Sequence, residues 1–173
     1  SESFHTIQTE ELANAHTPAL FNQDKIYLWD FPFVGTEKPS VNDRIVQSIN
    51  NGTLLINYVG HGNPELWSDE HVFTRSSDLP RLNNAAKLPL VFAASCAIGF
   101  YDDPRRVGMA EDLLTMQDNG AVAVVSATRL VYSSPNAQFN QKVFDILLYN
   151  DSLSIGEAVY VAKLQRQYAS STP

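Results

Sequence analysis

A histidine and the chain's only cysteine each stand just past an apolar, strand-like run. The first run is Thr53–Val59, followed by Gly60-His61-Gly62-Asn63; the second is Leu88–Ala94, followed by Ser95-Cys96. If the runs are neighbouring parallel strands, their carboxyl ends lie side by side and an imidazole meets a thiol across one crevice. Nucleophilic acyl transfer needs that pairing, because a thiol must lose its proton to attack a carbonyl and a nearby imidazole promotes the loss. Glycine on both sides of His61 lets the backbone turn sharply. The bare amide of Gly62, with that of Cys96, is then able to point at a developing oxyanion. Taken singly, each residue has a plainer account: free cysteines are among the most buried residue types, and a loop histidine is often merely satisfied by its neighbours. Only their joint placement favours chemistry, and the residues by themselves leave both accounts open.

The elements that must position this pair are legible as alternation. Continuous apolar runs at Lys25–Phe31, Thr53–Val59, Leu88–Ala94 and Ala121–Ala127 suit strands covered on both faces, as in a parallel sheet. Helical spacing separates them. Ser40 is placed to cap a helix carrying Val41, Ile45, Val46 and Ile49 and ending at Asn50-Asn51-Gly52. Met109, Leu113, Leu114 and Met116 mark a second helix closed by Asn119-Gly120, and Phe139 to Leu147 a third. Ser154 with Glu157 forms a capping box for a fourth. Glu10–His16 is expected as a short leading helix before Pro18. The fold class is therefore α/β, a mostly parallel sheet flanked by helices, with chemistry gathered at the carboxyl ends of the strands. The segments Asn63–Ser76 and Ala97–Arg106 are expected as long irregular loops leaving that edge.

Composition narrows the classes. With 173 residues, 44% hydrophobic and 18% charged, the chain has the makings of one domain with a core. A net charge of -7 repels a phosphate backbone, so nucleic acid is not expected as a partner. One cysteine excludes an intrachain disulfide and a multi-cysteine zinc site. The sequence shows no signal peptide and no apolar stretch long enough to span a bilayer. Ser1–His5 reads as the middle of a longer protein and residues 169–173 as the start of a linker.

Other constellations are weaker. Asp102 and Asp103, with Asp69, Glu70 and His71, would be an oxygen-rich set for calcium, but paired loop acids are commonly just solvated. His61, His71 and Asp69 lack the helical spacing of a zinc hydrolase. Neither Ser95 nor Ser126 lies in a Gly-x-Ser-x-Gly elbow, and Arg105-Arg106 reads as a solvated pair. No cofactor is expected.

Tyr58-Val59-Gly60-His61-Gly62-Asn63, then Trp67, then Ala93-Ala94-Ser95-Cys96 resembles the gingipain-type cysteine peptidases. Within that family the chain is most similar to PorU-type peptidases of the type IX secretion system. The supporting stretches are Asn51–Tyr58, Phe100–Pro104 and Ser126–Tyr132, and the likeness runs from Val41 to Leu148. The resemblance implies a caspase-like α/β sandwich, and residues 1–173 are expected to form a single domain or subdomain of that kind. It implies His61 as acid and base, Cys96 as nucleophile, and the Gly62 and Cys96 amides as oxyanion donors. Asn63, Trp67 and Tyr132 become substrate-binding positions, although Tyr132 reads equally well as an ordinary loop tyrosine. The implied substrate is a polypeptide, namely the carboxyl-terminal signal of a secreted protein, with hydrolysis or transfer as the outcome. Other secretion-system proteins become possible partners, and the location extracellular or at the outer membrane. Family members also orient the histidine with an acidic residue from upstream; Asp30, Asp69 and Glu70 are the local stand-ins. A non-catalytic binding module of the same fold is the rival reading.

Overall fold

The computed structural model describes the backbone of residues 2–150 and 152–170, and the side chains of residues 4–150 and 152–166. In chain order the elements begin with α1 (Glu2–Ala15), α2 (Pro39–Asn51), β1 (Leu55–Val59), β2 (Gly62–Asn63), β3 (Leu66–Trp67) and β4 (Phe73–Thr74). They continue with β5 (Leu90–Ala94), α3 (Met109–Thr115), β6 (Ala123–Ser126), α4 (Ser133–Leu148) and α5 (Ile155–Ser170). The chain divides into two compact units, Lys25–Val131 and Ser1–Asp24 with Tyr132–Pro173.

Within Lys25–Val131, β1, β5 and β6 form a parallel sheet in the order β1-β5-β6. β5 is the central strand and every residue from Leu90 to Ala94 is buried. β1 and β6 are half-buried throughout. Burying one side chain such as Phe92 is worth about 1.5–3 kcal/mol, so β5 is the natural axis of the unit. Val41, Val46 and Ile49 of α2 and Met109, Ala110 and Leu113 of α3 join Val91 and Ala93 in one core. The α/β class expected from the apolar runs is what the chain adopts.

The differences from expectation have local causes. α2 starts one residue before Ser40, with Pro39 in its first turn and Lys38 as the capping residue, because proline's fixed φ suits a helix start. Lys25–Phe31 is not a strand. Its only regular piece is a single turn at Leu28–Asp30. There the carbonyls of Leu28 and Phe31 accept hydrogen bonds from the buried Lys38 ammonium at 2.5 and 2.8 Å, so they are not available to a strand neighbour. Asn63–Ser76 is not irregular. It folds into a small antiparallel sheet, β2-β3-β4.

Helices α1, α4 and α5 make up the other unit. α1 extends well before the expected Glu10, and within the unit the His16 ring nitrogen lies 2.6 Å from an Asp145 carboxylate oxygen. The capping box forms as the sequence suggests: Ser154 N–H donates to Glu157 at 2.8 Å and Glu157 N–H donates back to the Ser154 hydroxyl at 3.3 Å. Of the expected linker, residues 169 and 170 belong to α5, and 171–173 lie outside the described residues.

Between α3 and β6, Gly120 has φ +100, and a Cβ there would come within 2.1 Å of the Leu113 carbonyl oxygen. Its N–H donates to the buried Asn84 side chain at 3.0 Å, which in turn donates to the Gly120 carbonyl at 2.9 Å. Gly120→Ala should therefore cost more than about 1 kcal/mol, measured as a lowered midpoint in urea unfolding.

Candidate active site

β1 and β5 pair in register from Leu55 with Leu90 to Val59 with Ala94. His61 therefore follows the last paired residue of β1 by two positions, as Cys96 follows that of β5. Both leave the same carboxyl edge of one parallel sheet.

Past β1 the chain enters the β2–β3 hairpin, where Gly62 opposes Trp67 and Asn63 opposes Leu66. The Ser68 N–H donates to the His61 carbonyl at 2.8 Å. In an antiparallel ladder, bonded and non-bonded pairs alternate, so this bond makes Gly62–Trp67 a non-bonded pair and leaves the Gly62 N–H outside the ladder. The His61 carbonyl accepts a second hydrogen bond, from the Tyr58 hydroxyl at 2.6 Å. To reach it, the Tyr58 ring folds back under the turn and stacks on Trp67, with centroids 4.6 Å apart and planes 8° from parallel. Trp67 packs in turn on Phe73. Burial pushes the Tyr58 phenol above its ordinary range, helped by the Glu70 and Asp69 carboxylates and partly offset by the Ser68 backbone.

Two glycines make this turn possible. A Cβ on Gly60 would lie 2.5 Å from the Tyr58 hydroxyl, and one on Gly62 would lie 2.6 Å from the Ser95 hydroxyl. The hairpin is tied to the rest of the unit by the Met109 N–H, which donates to the Pro64 carbonyl at 2.8 Å. Arg75 adds a second tie, its Nε 2.6 Å from Asp112 and its Nη1 3.1 Å from Glu65.

Past β5 the chain also turns at once. Ala97 has φ 47, a left-handed conformation that non-glycine residues rarely adopt and that clusters at functional sites. The N–H groups of Ala97 and Gly99 donate to the Arg129 and Ala127 carbonyls at 3.2 and 3.1 Å. This lays the Cys96 turn along the segment that follows β6. The half-buried Cys96 thiol donates to the Val131 carbonyl, with sulphur and oxygen 3.6 Å apart. Arg129 stacks its guanidinium on Phe100 at 4.5 Å and pairs with Asp102.

The remaining candidates fall in different places. Trp67, expected in the substrate groove, is only 2% exposed and supports the His61 turn from beneath. Asn63 is exposed, but its side-chain oxygen accepts the Glu65 and Leu66 N–H groups at 2.8 and 3.1 Å and so shapes the hairpin. Tyr132 is 86% exposed at the start of α4, in the other unit. Of the carboxylates considered as partners for His61, Glu70 accepts the Ser68 hydroxyl and Asp30 lies exposed in its turn. Of the residues considered for calcium, Asp102 pairs with Arg129, Asp103 with Arg105 at 2.8 Å, and His71 lies 3.2 Å from Glu37. Among the described residues no group of three or more His, Cys, Asp or Glu side chains is gathered for a metal ion. Tyr58 is the site residue that sequence reasoning missed. Its hydroxyl donates to a backbone carbonyl three residues on, a contact that residue types alone do not mark.

The chain matches Peptidase family C25 over residues 2–172 and belongs to that family. Gingipain R2 of Porphyromonas gingivalis is 32% identical over 90 residues, which is 49% of this chain and 12% of that protein. Gingipain R1 of the same species is 31% identical over 90 residues, again 49% of this chain but 5% of its own length. Among solved structures, the Arg-specific cysteine proteinase gingipain R superposes with a TM-score of 0.62 at 24% identity, covering 72% of this chain and 31% of that one. The complex of the Porphyromonas gingivalis RgpB pro- and mature domains gives 0.64 at 22% identity, covering 72% and 30%. The gingipain fold is thus shared, while the chain spans only a small part of these relatives' own length.

Two outcomes follow from this geometry. Ser95 is 2% exposed and its hydroxyl has no hydrogen-bond partner among the described residues. A buried, unsatisfied hydroxyl costs about 1–3 kcal/mol, so Ser95→Ala should be neutral or stabilising in urea unfolding. The second concerns Asp103, whose carboxyl titrates below its ordinary value of 3.8, chiefly through the Arg105 side chain and backbone N–H. The Arg105 turn is then held above about pH 4 and loosens as the pH falls toward the folded value. Amide exchange at Arg105 should lose protection over that acidic range.

Proposed function

We propose that the chain forms the nucleophile-bearing part of a cysteine peptidase, with Cys96 as nucleophile and His61 as acid and base. The observation that carries this reading is the register of β1 on β5, which brings His61 and Cys96 to one sheet edge at the same offset. Membership of Peptidase family C25 agrees with it.

In the proposed reaction the Cys96 thiolate adds to a peptide carbonyl carbon, forming a C–S bond while the carbonyl electrons move to oxygen. The Gly62 and Cys96 N–H groups receive that oxyanion. Collapse breaks the C–N bond, and protonated His61 gives its proton to the leaving amine. Water or an incoming amine then attacks the thioester, His61 accepts its proton, and the C–S bond breaks to restore the thiolate. Hydrolysis or transfer depends on which nucleophile arrives. The polypeptide substrate is proposed to be the carboxyl-terminal signal of a secreted protein, handled outside the cell or at the outer membrane alongside other secretion-system proteins. Motif likeness to PorU-type enzymes supports this finer reading. Tyr132 is kept as a proposed substrate-binding residue on the motif likeness.

The test is iodoacetamide labelling of Cys96 at neutral pH, set beside peptide turnover. His61→Ala should slow labelling by about tenfold or more, because the imidazole promotes the thiolate. Cys96→Ala should abolish turnover. Labelling that ignores His61, together with no peptide turnover by the wild-type protein, would overturn the reading in favour of a binding module.

A further inference from the structure

The peptide bond between His61 and Gly62 carries two roles at its two ends. Its N–H, outside the hairpin ladder, is the oxyanion donor of the proposed reaction. Its carbonyl is the one held by both the Ser68 N–H at 2.8 Å and the Tyr58 hydroxyl at 2.6 Å. Hydrogen bonds to a carbonyl draw electron density away from the amide nitrogen of the same peptide, which makes its N–H a stronger donor. They also fix the peptide plane, so the N–H needs no reorientation when charge develops on the substrate.

We propose that Tyr58 is a positioning residue that polarises and orients the His61–Gly62 peptide for oxyanion stabilisation; this rests on the cysteine-peptidase reading of the same site. Three features fit this role. The ring is already anchored by its stack on Trp67, so the hydroxyl is not needed to hold the side chain in place. Gly60 is required because any side chain there would strike the hydroxyl. The phenol, pushed above its ordinary range by burial and the neighbouring acids, stays protonated and remains a donor at any working pH.

The test compares wild type with Tyr58→Phe in the full-length protein, because phenylalanine keeps the stack and removes only the donor. Thiol alkylation by iodoacetamide forms no oxyanion, whereas acylation by a peptide does. A direct oxyanion donor is worth about 10²–10³ in kcat, and polarisation by one neighbouring hydrogen bond adds about 10–30%. The expected result is a fall in kcat of about two- to eightfold with KM and the rate of Cys96 alkylation unchanged. The Gly62 amide nitrogen resonance should move upfield. Alkylation falling by the same factor as kcat would show Tyr58 acting on the thiol–imidazole pair or on the fold, and would overturn the proposal. So would unchanged kcat. A wild-type protein without Cys96-dependent turnover would fail the peptidase reading instead, and the Gly62 resonance would still decide on the polarisation: no movement overturns it.

Discussion

The pairing of β1 with β5 is the constraint on which the rest of the unit depends. In a parallel ladder, side chains at paired positions share a face, so a register shift of one residue would send every side chain of β1 to the other side of the sheet. Val59 opposite Ala94 sets where the two chains leave the sheet, and thereby the common offset of His61 and Cys96. The burial of β5 along its whole length makes that register expensive to change. The site's geometry is thus inherited from the core.

Beyond the strand ends the structure turns from hydrophobic to hydrogen-bonded control. On one side the His61 turn is held by Ser68 and Tyr58, with Trp67 and Phe73 stacked beneath. On the other, the Cys96 turn is held against residues 127–131 through Ala97, Gly99 and the thiol. The strained φ at Ala97 persists because the backbone on both sides of it is already tied down. Both segments are loops by position but have little freedom, which a site needing sub-ångström placement requires.

Much of this was legible in the sequence because it rests on local pattern. The apolar runs at Thr53–Val59, Leu88–Ala94 and Ala121–Ala127 became the three parallel strands, and Ser154 with Glu157 became a capping box. The placement of His61 and Cys96 on one edge followed from those runs. What escaped depends on long-range partners. Lys25–Phe31 has strand composition, but Lys38 captures its carbonyls. The hairpins between Gly62 and Thr74 are too short for periodicity to register. Trp67 looked like a groove residue because of its place in a motif, and only packing shows it buried between Tyr58 and Phe73. The hydrogen bond from Tyr58 to a backbone carbonyl three residues away has no signature in residue types alone.

The two glycines around His61 also carry a consequence for how this turn can change over evolutionary time. Gly60 is blocked by the end of the Tyr58 side chain, and Gly62 by that of Ser95 with Ile98 close behind at 3.1 Å, so the two glycines answer to different neighbours. A lineage that replaced Tyr58 with a shorter residue would release position 60 from its steric bar while leaving position 62 bound. One that trimmed Ser95 to alanine would ease position 62 alone. The Gly-His-Gly stretch, which reads as a single motif, therefore holds two separate steric dependencies, one on Tyr58 and one on Ser95 with Ile98, and its halves are free to drift separately.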